Sequence, residues 1–231
     1  MLNIVKNTTI TSILDLLAPH SCRGCGHVST ILCDRCKKYI LDSQRNVCPH
    51  CKNKNPTGDC PHCPDLPPTF IGGERTGLLG DLIKSYKYQS IRALAHPLAE
   101  IIHHALPNTT NQTYLVPLPT ISRHIRTRGF DHTALIAKHL AMLQGPNCHF
   151  YPLLTRTNNT TQVGQDQTTR LRQASSAYAV SPKFTINPSA TYILLDDVWT
   201  TGASMLAALK KLQQAGAKDI KLALLSLNRL D

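Results

Sequence analysis

The stretch that decides the fold reads Tyr192-Ile193-Leu194-Leu195-Asp196-Asp197-Val198-Trp199-Thr200-Thr201-Gly202-Ala203-Ser204. The four large residues at its start predict a fully buried β-strand. Two adjacent carboxylates follow, and after them come hydroxyl residues and one glycine. The next residues, 205–212, have the apolar spacing and the composition of a helix. The predicted order is therefore strand, acidic pair, turn and helix.

This order predicts a chemical function as well as a local structure. A helix N-terminus carries unpaired N–H groups and about half a positive charge, so it can hold a phosphate group. Gly202 lets the backbone approach closely, and three hydroxyl groups can donate to phosphate oxygens: Thr200, Thr201 and Ser204. Asp196 and Asp197 would repel that phosphate, but they suit sugar hydroxyls or Mg2+. The alternative is a buried strand followed by an ordinary capped turn.

All thirteen residues resemble the signature with which type I phosphoribosyltransferases bind 5-phosphoribosyl 1-diphosphate (PRPP). The resemblance implies that Asp196 and Asp197 bind the ribose hydroxyls and that Mg2+ accompanies PRPP. It assigns the 5'-phosphate to the loop residues Thr200, Thr201, Gly202, Ala203 and Ser204.

Length and composition narrow the class of protein. A chain of 231 residues with 42% hydrophobic content can form one full domain and a small module. The net charge of +11 favours polyanionic partners such as nucleic acid, phosphorylated metabolites or an acidic membrane, although it also serves ordinary solubility. No apolar run is long enough for a transmembrane segment, and polar residues interrupt the first eighteen too often for a signal peptide. We expect a short helix over Ile10–Leu17 and a cytoplasmic location.

Eight of the nine cysteines form four C-x-x-C pairs near the N-terminus: Cys22/Cys25, Cys33/Cys36, Cys48/Cys51 and Cys60/Cys63. Each pair can present two thiolates to one cation, so four pairs predict two structural Zn2+ sites. Sequential wiring is the simplest arrangement, and an interleaved one stays open. A redox pair or disulfides are the alternatives; they need, respectively, a strand-to-helix context and export. Cys148 stands alone and is predicted to be a small buried residue.

Five prolines between positions 56 and 68 mark a domain boundary. We therefore predict a zinc-binding module over residues 1–68 and an α/β domain over residues 69–231, with a parallel sheet and helices on both of its faces. Apolar spacing predicts helices over Leu78–Tyr88 and Ile91–Ala105, the second kinked or started late by Pro97. Further predicted elements are a strand at Thr113–Val116, a helix at Phe130–Leu143 and a buried strand at Ile220–Leu225.

A basic segment follows the strand at Thr113–Val116 and contains Arg123, Arg126 and Arg128. On a parallel sheet it should lie at the carboxyl edge, facing the same cleft as the acidic pair, where it could hold a diphosphate. Lys84 and Lys87 alternate with tyrosines and could contact single-stranded bases. A solvated basic face is the alternative for both groups.

The order of motifs along the chain resembles the ComF family. The resemblance rests on the cysteine-rich N-terminus, Lys87-Tyr88, Val116-Pro117-Leu118-Pro119, Arg128-Gly129-Phe130, Arg170-x-Arg172 and the PRPP-binding stretch of residues 192–204, here called the ribose motif. It implies a zinc finger joined to a phosphoribosyltransferase-like domain that handles incoming single-stranded DNA in natural competence. The sequence departs from the family pattern at Asp131-His132, where Asn-Gln is usual, and at Gln173 and Ser176.

Two functions compete. In the first, the protein binds PRPP or a related ribose-phosphate with Mg2+, contacts single-stranded DNA and works with DNA-uptake proteins at the inner face of the membrane. In the second, it is an active phosphoribosyltransferase that closes the polar loop 155–176 over the site and transfers ribose 5-phosphate to a base or amine. Its catalytic residues would be Asp196, Asp197, Arg126 and Arg128, with Arg123 also on the diphosphate. No acceptor pocket can be read from the sequence. A plain zinc-finger DNA binder would leave the ribose motif without a role.

Overall fold

A computed structural model describes residues 20–44, 46–157 and 177–228. Its centre is a five-stranded sheet in which every neighbouring pair is parallel. In chain order its strands are β3 (Thr69–Ile71), β4 (Thr113–Pro117), β5 (Cys148–Phe150), β8 (Thr191–Trp199) and β9 (Asp219–Leu227). Their spatial order is β3-β9-β8-β4-β5, so the strand that bears the acidic pair is central.

Outside this sheet, the described residues form two small ribbons and several helices. Two antiparallel ribbons consist of β1 (His20–Ser21) with β2 (Val28–Ser29) and of β6 (Leu154–Arg156) with β7 (Tyr178–Val180). The helices are α1 (Asp34–Asp42), α2 (Gly77–Tyr88), α3 (Ala95–Ala105), α4 (Ser122–Arg128), α5 (His132–Gln144) and α6 (Ala203–Gln214), with a 3-10 turn at Arg92–Leu94.

Both faces of the sheet are covered by helices, which confirms the predicted fold class. Side chains alternate along β8, so Ile193 and Leu195 join a core with α2, α3 and α5, while Tyr192 and Leu194 join a second core with α6. All four side chains are at most 1% exposed. The predicted run of four buried residues is therefore part of a strand whose two faces each pack into a separate hydrophobic core.

The predicted helices and strands form with small shifts of their ends. The helix predicted at Ile91–Ala105 begins late, at Ala95, after the 3-10 turn, and Pro97 lies in its first turn, where a missing N–H is tolerated. The strand of the ribose motif is longer than predicted, since β8 continues through both acids to Trp199. The basic segment is a short helix, α4, instead of a loop. The predicted helix at Ile10–Leu17 lies outside the described residues, as does most of the predicted loop 155–176.

The cysteine region packs directly on the first core. Cys36 and Ile40 of α1 are buried in it, and Lys37 Nζ lies 3.0 Å from Glu100 Oε1 on α3. On the other side of the predicted boundary, β3 starts at Thr69 and pairs with β9. The division of the chain near residue 68 stays a prediction.

Candidate functional site

The eight paired cysteines assemble into two groups, each of four sulfur atoms. Cys22, Cys25, Cys33 and Cys36 form one group and Cys48, Cys51, Cys60 and Cys63 the other, and within each the sulfur atoms lie within 4.8 Å of one another. Sulfur–sulfur distances of 3.4–3.7 Å are close to the roughly 3.8 Å edge of a tetrahedron built on Zn–S bonds of about 2.3 Å. The grouping is the sequential one, and the donor sets fit structural zinc.

Backbone geometry prepares the first group for a cation. The backbone N–H groups of Gly24 and Cys33 donate to the Cys22 sulfur at 3.4 and 3.3 Å. Burial raises the pKa of the Cys22 thiol, but the backbone N–H groups of Cys33, Cys25 and Gly24 outweigh that effect and lower the pKa to about 6. Cys148 is in neither group. It is buried, as predicted, and burial raises the pKa of its thiol to about 11.

The acidic pair lies near the carboxyl end of β8, and its two side chains face opposite sides of the sheet. Asp197 continues the alternation of Ile193 and Leu195 toward α2 and α5, while Asp196 continues that of Tyr192 and Leu194 toward α6. Asp197 is 7% exposed, and Asp196 is half-buried. The Asp197 backbone N–H donates to Asp196 Oδ1 at 2.8 Å, which ties the two carboxylates together.

Two groups from neighbouring helices contact the Asp197 carboxylate. Lys87 Nζ forms an ion pair with Asp197 Oδ2, and His132 Nε2 lies 2.7 Å from the same oxygen. Burial raises the pKa of Asp197, but the hydrogen bond from His132 and the charge of Lys87 outweigh it and hold the pKa well below its usual range. Burial and the negative charge of Asp197 raise the pKa of Asp196 well above its usual range.

The basic helix α4 reaches this cluster through its last residue. Arg128 NH1 lies 3.0 Å from His132 Nδ1, and the guanidinium also lies over the Tyr88 ring, 5.8 Å from its centre. Arg123 and Arg126 are exposed on the same helix. The structure thus brings Arg128, Lys87 and Asp197 together at one edge of the sheet, whereas Lys84 lies at the surface and pairs with Asp81. Lys87 is predicted to contact DNA or diphosphate; in the structure its ammonium group forms an ion pair with Asp197.

The hydroxyl-rich loop lies between β8 and α6. Gly202 adopts a left-handed φ of 75°, and a Cβ atom there would lie 2.2 Å from Trp199 Cζ2. Only glycine therefore lets the backbone rest on the indole ring. Thr200, Thr201 and Ser204 are exposed around this turn, and Thr201 Oγ1 accepts from the Ala203 N–H at 3.4 Å.

The ribbon of β6 and β7 adds two residues that the sequence did not indicate. Arg156 NH1 donates to the Tyr178 hydroxyl at 3.3 Å, and Tyr178 interacts electrostatically with Ser204 and Asp196. Burial raises the pKa of Tyr178, so its hydroxyl remains a donor at neutral pH. His132 was also missed, since its role depends on contacts between three separate elements.

A zinc-ribbon-like module with two groups of four cysteines, joined to a parallel α/β domain, is the ComF-like architecture that the sequence resemblance predicts. Competence protein F of Haemophilus influenzae (strain ATCC 51907 / DSM 11121 / KW20 / Rd) is 26% identical to this chain over 221 residues, which cover 87% of this chain and 92% of that protein. These findings confirm the resemblance. No family model matches the chain. Among the described residues, no helix combines the length and apolar character that crossing a bilayer requires.

Proposed function

We propose that the protein binds PRPP with Mg2+ and takes part in handling single-stranded DNA during natural competence. One observation carries the proposal: the acidic pair of β8, the N-terminus of α6 and the C-terminal arginine of α4 lie at one edge of a parallel sheet. Arg128 is linked through His132 to Asp197, and Gly202 starts α6 a few residues further along the chain. Ligands of α/β proteins bind at such edges.

Each part of the ligand has a protein partner of matching chemistry. Asp196 and Asp197 bind the ribose hydroxyls and Mg2+, and Asp196 is the more accessible of the two. Arg126 and Arg128 bind the diphosphate. The 5'-phosphate is bound by the start of α6 and the loop before it, namely Thr200, Thr201, Gly202, Ala203 and Ser204. Arg156 stands beside Ser204 through Tyr178 and supplies positive charge on that side.

The competence role rests on similarity to a protein named Competence protein F. Contact with single-stranded DNA is supported by three exposed side chains: Tyr88 at the end of α2, and Arg123 and Arg126 on α4. Tyr88 is 69% exposed and has the Arg128 guanidinium over its ring, an arrangement on which a base can stack. The protein would act in the cytoplasm, with DNA-uptake proteins at the inner face of the membrane.

The second candidate is an active phosphoribosyltransferase. It is favoured by Asp196, a half-buried carboxyl group whose pKa is raised by burial and by Asp197, as in residues that exchange protons during catalysis. The reaction would release diphosphate, whose charge Arg126, Arg128 and Mg2+ would stabilise.

Calorimetric titration of PRPP in the presence of Mg2+ tests the shared claim. We expect Asp196→Asn to weaken binding at least tenfold, whereas Asp81→Asn, which changes an exposed carboxylate on α2, leaves it unchanged. Absence of PRPP binding to the wild-type chain would reject both candidates.

Two further arms separate the candidates. Diphosphate release from PRPP across a panel of bases and amines, with and without DNA, identifies an enzyme. Arg123→Glu with Arg126→Glu should weaken single-stranded DNA binding and reduce the magnitude of its salt slope by about one for each phosphate that is no longer bound. Lys210→Glu, at an exposed position of α6, is the charge control. If the arginine variant and the Lys210 variant weakened DNA binding equally, α4 would not be part of the DNA-binding surface.

A further inference from the structure

His132 lies at the first position of α5 and has a partner for each ring nitrogen. Nε2 is 2.7 Å from Asp197 Oδ2, and Nδ1 is 3.0 Å from Arg128 NH1. The residue is 7% exposed, so its contacts are made with protein groups. Its backbone is fixed too, because the buried Tyr86 hydroxyl donates to the His132 carbonyl at 2.8 Å.

These contacts determine where the imidazole proton lies. A guanidinium group can only donate, so His132 Nδ1 must accept from Arg128 and carries no proton. The single ring proton is then on Nε2, which lies 2.7 Å from Asp197 Oδ2. Thr120 also lies 3.2 Å from Nδ1, but it donates its hydroxyl hydrogen to Asp131 Oδ1 at 2.9 Å. The contact with Arg128 therefore selects one tautomer of the imidazole, with its proton on Nε2.

Charged and titratable groups from several elements face the ring. Lys87 on α2 and Arg128 on α4 are cations close to it, and His124 on α4 also faces it. The anions are Asp197 on β8 and Asp131, which caps α5. His132 therefore lies between the cation at the end of α4 and the anion on β8.

We propose that His132 is a positioning residue that holds the Arg128 guanidinium in register with the Asp197 carboxylate. Resting on the proposed function, this bridge sets the spacing between the diphosphate partner and the ribose partner, so that one ligand meets both at once. The imidazole touches no ligand and moves no proton in this role. Its contribution is to fix the distance between two elements, the end of α4 and the end of β8, that are not adjacent in sequence.

Two substitutions separate bridging from packing. His132→Gln keeps an N–H donor and a carbonyl acceptor at the end of a planar group, whereas His132→Leu retains apolar volume and loses both. The readout is the ratio of the affinities for PRPP and for ribose 5-phosphate, which lacks the diphosphate. We expect His132→Leu to reduce this ratio at least tenfold and His132→Gln to restore it to within about threefold of wild type. A packing defect would weaken both ligands equally and leave the ratio unchanged, which would overturn the proposal.

The tautomer is tested without any ligand. In a long-range proton–nitrogen correlation spectrum of the histidine rings, His132 should show a protonated Nε2 and an unprotonated Nδ1. His132→Gln removes its signals and so assigns them among the eleven histidines. Arg128→Met should shift the Nδ1 signal and leave Nε2 protonated. A proton on Nδ1, or an Nδ1 signal insensitive to Arg128→Met, would overturn the bridge. If wild type binds neither sugar phosphate, the proposed function fails and this spectrum alone decides the bridge.

Discussion

Replacement of Lys87 by methionine tests whether the buried cation holds the acidic pair. Lys87 Nζ pairs with Asp197 Oδ2, and the two side chains are only 12% and 9% exposed. Removal of one partner of a buried ion pair destabilises a protein by about 3–5 kcal/mol, because it leaves an uncompensated charge. Asp197 would still accept a hydrogen bond from His132, so we expect the lower figure, about 3 kcal/mol.

Urea unfolding can be followed through Trp199, the single tryptophan of the sequence, whose side chain lies at the end of β8. For a slope of about 2 kcal/mol per molar urea, a destabilisation of about 3 kcal/mol lowers the unfolding midpoint by roughly 1.5 M. Lys84→Met is the matched control on the same helix. Lys84 lies 3.2 Å from Asp81 with both side chains more than 60% exposed, so its replacement should change stability by less than about 1 kcal/mol.

The effect of Lys87→Met should depend on pH. In wild type the lowered pKa of Asp197 gives stability that is present above the unfolded pKa of about 3.9 and is lost as the pH falls through the folded value. Lys87→Met removes one of the groups that lower this pKa, so the folded pKa of Asp197 is higher in the variant than in wild type. The deficit should therefore be smaller in acid, where Asp197 is protonated in both proteins, and larger at pH 7, where wild-type Asp197 is ionised. A deficit no larger than that of Lys84→Met, or one that persists unchanged in an Asp197→Asn background, would refute this reasoning.

Two other predictions concern the loop and the cysteine groups. Gly202→Ala should weaken PRPP binding and alter Trp199 fluorescence, because the added Cβ would collide with the indole ring. Gly216→Ala is the control: its φ of 100° is also positive, but no atom lies closer than 4.0 Å to the added Cβ, so both signals should stay unchanged. Equal behaviour of the two variants would contradict the packing of Gly202 on Trp199. Metal analysis should give about two zinc ions per chain, one after Cys22→Ser and two after Cys148→Ser, which lies outside both groups; no zinc in the reduced wild-type protein would reject the assignment.

Periodicity and spacing were sufficient to predict the frame of the fold. The buried run at the start of β8, the helix after it and the four C-x-x-C pairs each depend on residues that are close in sequence. The spacing of the cysteines left sequential and interleaved wiring open, and only the structure shows that the grouping is sequential. The length of β8 could not be predicted in this way, because pairing with β9 extends the strand through two carboxylates that local propensity disfavours.

The contacts of the candidate site could not be predicted, since they join elements far apart in the chain. Lys87 looked like part of an exposed basic and aromatic run, and its burial follows only from the packing of α2 against the end of β8. His132 looked like a departure from the family pattern. Its importance appears only when Arg128 and Asp197 are found on opposite sides of the ring.

The alternation of β8 gives its two acids different chemical characters. His132 and Lys87, on one face of the sheet, keep Asp197 ionised, and burial together with the charge of Asp197 raises the pKa of Asp196 on the other face. Two identical neighbours thus acquire opposite tendencies to hold a proton, which is the arrangement that acid and base roles require. A cation that joined Asp196 would relieve the repulsion between the carboxylates. Binding of Mg2+ to Asp196 should therefore lower the pKa of that carboxyl group, so the metal ion and the carboxyl proton would compete for the same side chain.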